Sequence, residues 1–168
     1  MFNDLKRLTA RLGEQAGAWL TAPALLALRL ALAIPFFRSG LTKWDGFLSL
    51  SSGAQYLFTE EFKLHFFWGT MAYPAPLLLA FLAGLGEIVL PVLLVLGLGT
   101  RFAALGLLAM TLVIQLTLPD GLINFHLPWF AMALALLAQG GGAWSADRLL
   151  GRALAQRHSA ASGMGGTA

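Results

Sequence analysis

Apolar residues fall along this chain in four stretches long enough to cross a bilayer, and most polar residues lie at the chain ends or in the gaps between the stretches. About 20 apolar residues, rising 1.5 Å each, cover roughly 30 Å of hydrocarbon. The first stretch runs from about Ala24 to Trp44, the second from about Leu77 to Leu98 and the third from about Phe102 to Leu118. The fourth starts at about Leu122 or Leu127 and ends at Gln139, with Pro128 as a candidate break because proline removes a helix hydrogen bond. Gly99-Thr100-Arg101 is so short a turn that the second and third stretches form an antiparallel hairpin. Backbone polar groups in lipid must be bonded internally, so the pattern predicts an all-α membrane protein, a four-transmembrane-helix bundle over residues 23–142.

Residues 1–22 place Phe2, Leu5, Leu8, Leu12, Ala16 and Trp19 at helical spacing among Lys6, Arg7, Arg11 and Glu14, as in an interfacial amphipathic helix capped by Asn3 or Asp4. A cleaved signal peptide is the competing reading. Arg29 interrupts its apolar core and no clean cleavage site follows, so an uncleaved anchor is expected. The long connection at about 45–76 mixes Phe47, Tyr56, Phe58, Phe62, Phe66, Phe67 and Trp68 with Glu60, Glu61 and Lys63, which suggests a lid or re-entrant segment at the interface. Residues 143–155 suit a short amphipathic helix capped by Ser145 or Asp147, and residues 159–168 a small, Gly-rich, disordered tail.

Composition agrees with lipid as the solvent: 58% of the 168 residues are hydrophobic and 11% charged, with a mean hydropathy of +0.73. The net charge of +3 would point to nucleic acid in a soluble protein, but here the basic residues cluster at the chain ends, which suits anionic lipid headgroups and no nucleic acid. Cytoplasmic loops hold an excess of Lys and Arg. With both termini cytoplasmic in a bacterial-type inner membrane, Lys6, Arg7, Arg11, Arg101, Arg148, Arg152 and Arg157 lie inside and only Lys43 and Lys63 outside. Cysteine is absent, so thiol chemistry must come from a partner.

An ionisable residue near the bilayer centre costs about 2.5–3.5 kcal/mol, so it normally has a partner or a task. Glu87 is the foremost case, with Ala80, Gly84 and Pro91 on its face. At 100° per residue Arg29, Phe36, Gly40 and Lys43 share one face of the first span, while Arg38 points the other way unless Pro35 rotates the helix. Rise alone puts Arg38, Glu87 and Gln115 at similar heights, with Lys43 and His126 near the outer rim, so a polar file through the bundle is one expectation. The structural alternative is that Glu87 neutralises Arg29 or Arg38 and that Lys43 snorkels. His126 lies beside Pro128 and Trp129. The histidines show no metal-ligand spacing, and no electron carrier or nucleotide loop is legible.

The run Arg29-x6-Phe36-x3-Gly40-x2-Lys43, Glu87, Leu96-Gly97-Leu98-Gly99-Thr100-Arg101, His126-x2-Trp129 and Gly142-x2-Ser145-x-Asp147-Arg148 together resemble the DoxX family over about residues 24–150. The resemblance implies a four-helix membrane protein similar to the small subunit of a thiosulfate:quinone oxidoreductase, a family with members associated with redox or oxidative-stress complexes. Ala33, where many members have glycine, and the extra charge Arg38 depart from the pattern. The expected function is a membrane subunit of a redox-linked complex that binds a quinone or other small redox molecule, a non-autonomous part of an oxidoreductase. Glu87, Arg29 and His126 are the candidate catalytic groups; Arg38, Lys43, Gln115, Trp129 and Phe36 are the candidate ligand contacts. The alternative is a non-catalytic scaffold or anchor, or a small solute passage. A protein partner or a homo-oligomer is expected in addition to lipid.

Overall fold

The computed structural model describes the backbone of residues 2–163 and the side chains of residues 17 and 19–156. Six α-helices and two small hairpins follow in the order α1 (Phe2–Leu41), β1 (Trp44–Gly46), β2 (Ser49–Leu50), α2 (Ser52–Tyr56), β3 (Lys63–Phe66), β4 (Gly69–Ala72), α3 (Pro76–Leu96), α4 (Thr100–Thr117), α5 (Leu127–Gln139) and α6 (Ala146–Gly163). Four segments are long and apolar enough to cross a membrane: Trp19–Leu41, Pro76–Leu96, Thr100–Thr117 and Pro119–Gln139. α1 packs on α3 and α5, and α4 packs on the same two, which closes a four-column bundle. Its core is Leu25, Leu32, Ala33, Phe36, Leu94, Ala103, Ala104, Leu107, Ala133 and Leu136.

Several boundaries differ from those read off the sequence. No break separates residues 1–22 from the first span; α1 is one 40-residue helix that carries Pro23 and Pro35 inside it. The proposed Asn3 or Asp4 cap and the polar face of that segment lie outside the described side chains, as do Arg157 and His158. α1 ends at Leu41, short of Trp44, which enters a strand. Pro128 does not break the fourth span. A 3-10 turn (Pro119–Gly121) and a π-helical turn (Leu122–His126) run directly into α5, and Pro128 occupies its first turn, where no backbone donor is lost. The expected tail is helical as far as Gly163, and residues 164–168 lie outside the described residues.

α1 and α3 meet in an offset register. Gly40 lies against Glu87, eleven residues into α3 from Pro76, whereas Arg29 lies against Gly97, at the other end of α3. α1 therefore stops halfway along α3, and the 42–62 segment completes that column. Ser51 caps α2 by accepting from the Ala54 amide, and Ala54 and Phe58 are buried. The supposed loop is thus a packed part of the bundle. Below, the end holding both hairpins is the hairpin end, and that holding the α3–α4 junction is the turn end.

Candidate functional site

α1 presents Arg29, Phe36 and Gly40 inward and Arg38 outward, as one helical period dictates. Gly40 brings the backbones of α1 and α3 together; a Cβ there would lie 2.9 Å from the Glu87 carbonyl carbon and Cβ. A final turn, in which the Thr42 and Lys43 amides donate to the Ser39 and Gly40 carbonyls, swings Lys43 back over α3. Its Nζ donates to Glu87 Oε2 at 2.6 Å and to Ser39 Oγ at 3.1 Å. Glu87 is therefore paired with Lys43, not with Arg29 or Arg38, and Lys43 does not snorkel to a rim. The ion pair is sheltered, the two side chains being 13% and 6% exposed. Trp44 closes it from above by lying on Gly84, where a Cβ would meet the indole at 2.7 Å, and by meeting Phe81 edge-on at 5.3 Å.

His126, at the end of the π turn, is buried rather than rim-exposed. Gln115 Nε2 donates to the Pro119 carbonyl, so its Oε1 faces His126 Nδ1 at 2.7 Å and Nδ1 is the protonated ring nitrogen. Gly121 fits against the Cε1–Nε2 edge of the ring, where a Cβ would come within 2.6 Å of Cε1 and 2.8 Å of Nε2. Trp129, one turn on, contacts both His126 (centroids 5.6 Å apart) and Phe36 (5.0 Å). These groups converge on a cavity of about 700 Å³ in the hairpin half of the bundle. Phe36, Lys43, Glu87, His126 and Trp129 line it, with Met110, Val113 and Ile114 of α4. Phe58, Phe62 and Tyr73 form its roof, and Tyr73 Oη is 2.5 Å from Thr117 Oγ1. Sequence reasoning missed Tyr73 and Thr117, which carry no spacing signal because they come from elements 44 residues apart.

Three of the candidate residues stand elsewhere. Gln115 supports His126 and does not line the cavity. Arg38 faces away from the bundle, so no polar file joins Arg38, Glu87 and Gln115. Arg29, 1% exposed, belongs to a separate cluster at the turn end, where its Nη2 donates to the Trp144 carbonyl at 2.6 Å. Its Nε and Nη1 and the Thr100 hydroxyl are buried without a hydrogen-bond partner among the described residues. Ser145 caps α6 by accepting from the Arg148 amide, while Asp147 caps a different helix: its carboxylate accepts from the Gly99 amide at 2.7 Å and from the Thr100 amide at 2.9 Å. In return, the Asp147 amide donates to the Gly97 carbonyl. Burial raises the Asp147 carboxyl, but the Thr100 and Gly99 amides and nearby Arg29 outweigh it and hold the group below its ordinary value.

Among the described residues no three His, Cys, Asp or Glu side chains come together as a metal site would require. A family model described as DoxX matches residues 24–120, which takes in Arg29, Gly40, Lys43, Glu87 and Gln115 and stops short of His126, Trp129 and Asp147. No curated protein and no solved structure matches the chain.

Proposed function

The chain belongs to the DoxX family and is a membrane protein, and we propose that it serves as the membrane subunit of a redox-linked complex by binding a flat, carbonyl-bearing molecule of the quinone class in the hairpin-end cavity. The observation that carries this reading is a pocket of about 700 Å³, apolar and aromatic over most of its wall, with the Lys43–Glu87 pair and His126 among its few polar groups. Small-molecule sites are commonly clefts of roughly 300–1,000 Å³ with few, well-placed polar groups. Phe36 and Trp129 supply a stacking wall. Lys43 Nζ is a donor for one ring carbonyl, and Glu87 and His126 are positioned to pass protons to and from the ring oxygens. A bound quinone takes up two electrons and two protons, the electrons coming from a partner protein.

The orientation proposed with this reading places the turn end, with Arg101, Arg148 and Arg152, on the cytoplasmic side of a bacterial-type inner membrane. The cavity then opens toward the outer leaflet, beneath the hairpins. The scaffold reading is favoured by a different observation: the hairpin tips carry Phe47, Phe67 and Trp68 at 96%, 97% and 71% exposure, rings suited to lipid or to another protein.

The test is purification in mild detergent with mass spectrometry of the extracted small molecules, followed by titration of a short-chain quinone against tryptophan fluorescence. A copurifying quinone, depleted about tenfold in Glu87→Gln as expected for one lost hydrogen bond to a charged group, supports the reading. Wild-type protein without quinone, and with fluorescence unmoved by the short-chain analogue, ends it in favour of the scaffold.

A further inference from the structure

Arg38 stands on the face of α1 opposite the cavity, exposed, and among the described residues makes no hydrogen bond or ion pair. It borders a groove of about 420 Å³ between α1 and α3 whose other walls are Ala33, Ile34, Phe37, Pro91, Val92 and Val95 with Leu96 at its end. Its depth is set by the register of the two helices. Arg38 lies two residues from Gly40, which abuts Glu87 near the middle of α3. Arg29, nine residues back, sits at the turn end, so about 14 Å of helix separates Arg38 from that boundary. Toward the hairpin end, the eleven residues from Glu87 to Pro76 amount to roughly 16 Å. With the ends of α3 taken as the hydrocarbon boundaries, neither distance is one that a single side chain covers, so snorkelling along α3 does not relieve this charge.

A cation in hydrocarbon needs a counter-charge at its own depth. Among the described residues none supplies one, because Glu87 is held inside the bundle by Lys43, Asp45 accepts from the Ser52 amide, and Glu60, Glu61, Asp120 and Asp147 lie outside α1, α3, α4 and α5. A second copy is no better. A two-fold contact centred on this groove sets one Arg38 against the other, and like charges facing across a dry interface repel. We propose that the α1–α3 groove is the docking surface for a transmembrane helix of a different protein that carries a carboxylate at mid-membrane depth, opposite Arg38. Small Ala33 and the shallow Pro91–Val92 edge let that helix approach closely, as membrane helix pairs require. This surface deepens the complex reading above, on which it rests for the existence of a partner chain, and it is independent of what fills the cavity.

The test uses the full chain in its native membrane with a photo-crosslinking amino acid at Ile34, on the rim of the groove. The expected result is an adduct with one membrane protein bearing an Asp or Glu inside a hydrophobic span. That adduct falls about tenfold or more in Arg38→Glu, as for a close charge pair turned repulsive, and returns when the partner's carboxylate is changed to lysine. Cavity-ligand content and thermal unfolding, unchanged in Arg38→Glu and Arg38→Gln, show that the bundle is intact and separate this result from the cavity reading. An adduct only with a second copy, only with lipid, with a partner lacking an intramembrane carboxylate, or undiminished in Arg38→Glu overturns the proposal.

Discussion

Lys43 Nζ stands 2.6 Å from Glu87 Oε2, joining the turn that follows α1 to the middle of α3 on the wall of the cavity. Removing one member leaves the other as an unpaired, sheltered charge. Lys43→Met and Glu87→Leu are each expected to lower stability by about 3–5 kcal/mol, and the double substitution to recover most of that loss. Chemical unfolding in detergent, analysed as a double-mutant cycle, measures the coupling; strictly additive losses would show that the pair contributes nothing as a pair.

Gly40 has no room for a methyl group. In Gly40→Ala the new carbon meets the Glu87 backbone at 2.9 Å, and backbone yields less easily than a side chain. Overpacking of this kind costs typically about 1–3 kcal/mol, and it should also release Lys43 from Glu87. Gly53, in α2, has nothing within 4 Å, so Gly53→Ala should be neutral or stabilise by up to about 1 kcal/mol. Thermal unfolding of the two variants side by side tests the contrast.

The chemical character of these contacts was legible earlier than their partners. Hydropathy located four spans, and the 100° period put Arg29, Phe36, Gly40 and Lys43 on one face, because both properties belong to a single helix. Which charge Glu87 meets depends on how far α1 slides along α3, and that offset arises from helix-to-helix packing at Gly40. Asp147 posed the same difficulty: its carboxylate reads as a cap for its own helix, yet it caps one that begins 47 residues earlier. Pro128 looked like a break because proline removes a helix hydrogen bond, yet it lies at a helix start, where proline is favoured.

The Asp147 cap makes the turn end sensitive to acid. Its carboxyl sits below the ordinary 3.8 in the folded chain, so the stabilisation is fully present above that value and is lost as pH falls through the lower, folded one. Hydrogen exchange at the Gly99 and Thr100 amides should therefore lose protection in that window. In Asp147→Asn the step should vanish. Retention of the step in that variant would assign it to another carboxylate.

Gln115 holds His126 in a single tautomer. Gln115→Leu leaves the buried Nδ1–H without its acceptor, with an expected loss of about 1–3 kcal/mol. If the cavity takes a quinone, its affinity should fall in the same variant, since the ring is then free to turn. Nitrogen NMR of the imidazole distinguishes the outcomes: one fixed tautomer in the parent chain, an averaged signal in the variant.

α1 is tied to its neighbours at two points, Arg29 at the Trp144 carbonyl and Gly97, and Gly40 with Lys43 at Glu87. The helix between them behaves as a ruler whose length is matched to α3 from Gly97 back to Glu87. Substitutions at outward-facing marks such as Leu30 leave its length alone, whereas one inserted residue advances everything beyond it by about 1.5 Å and turns it by roughly 100°. Such an insertion would carry Gly40 and Lys43 off the α3 face and turn another side toward the cavity, so this stretch tolerates changes of residue far better than changes of number.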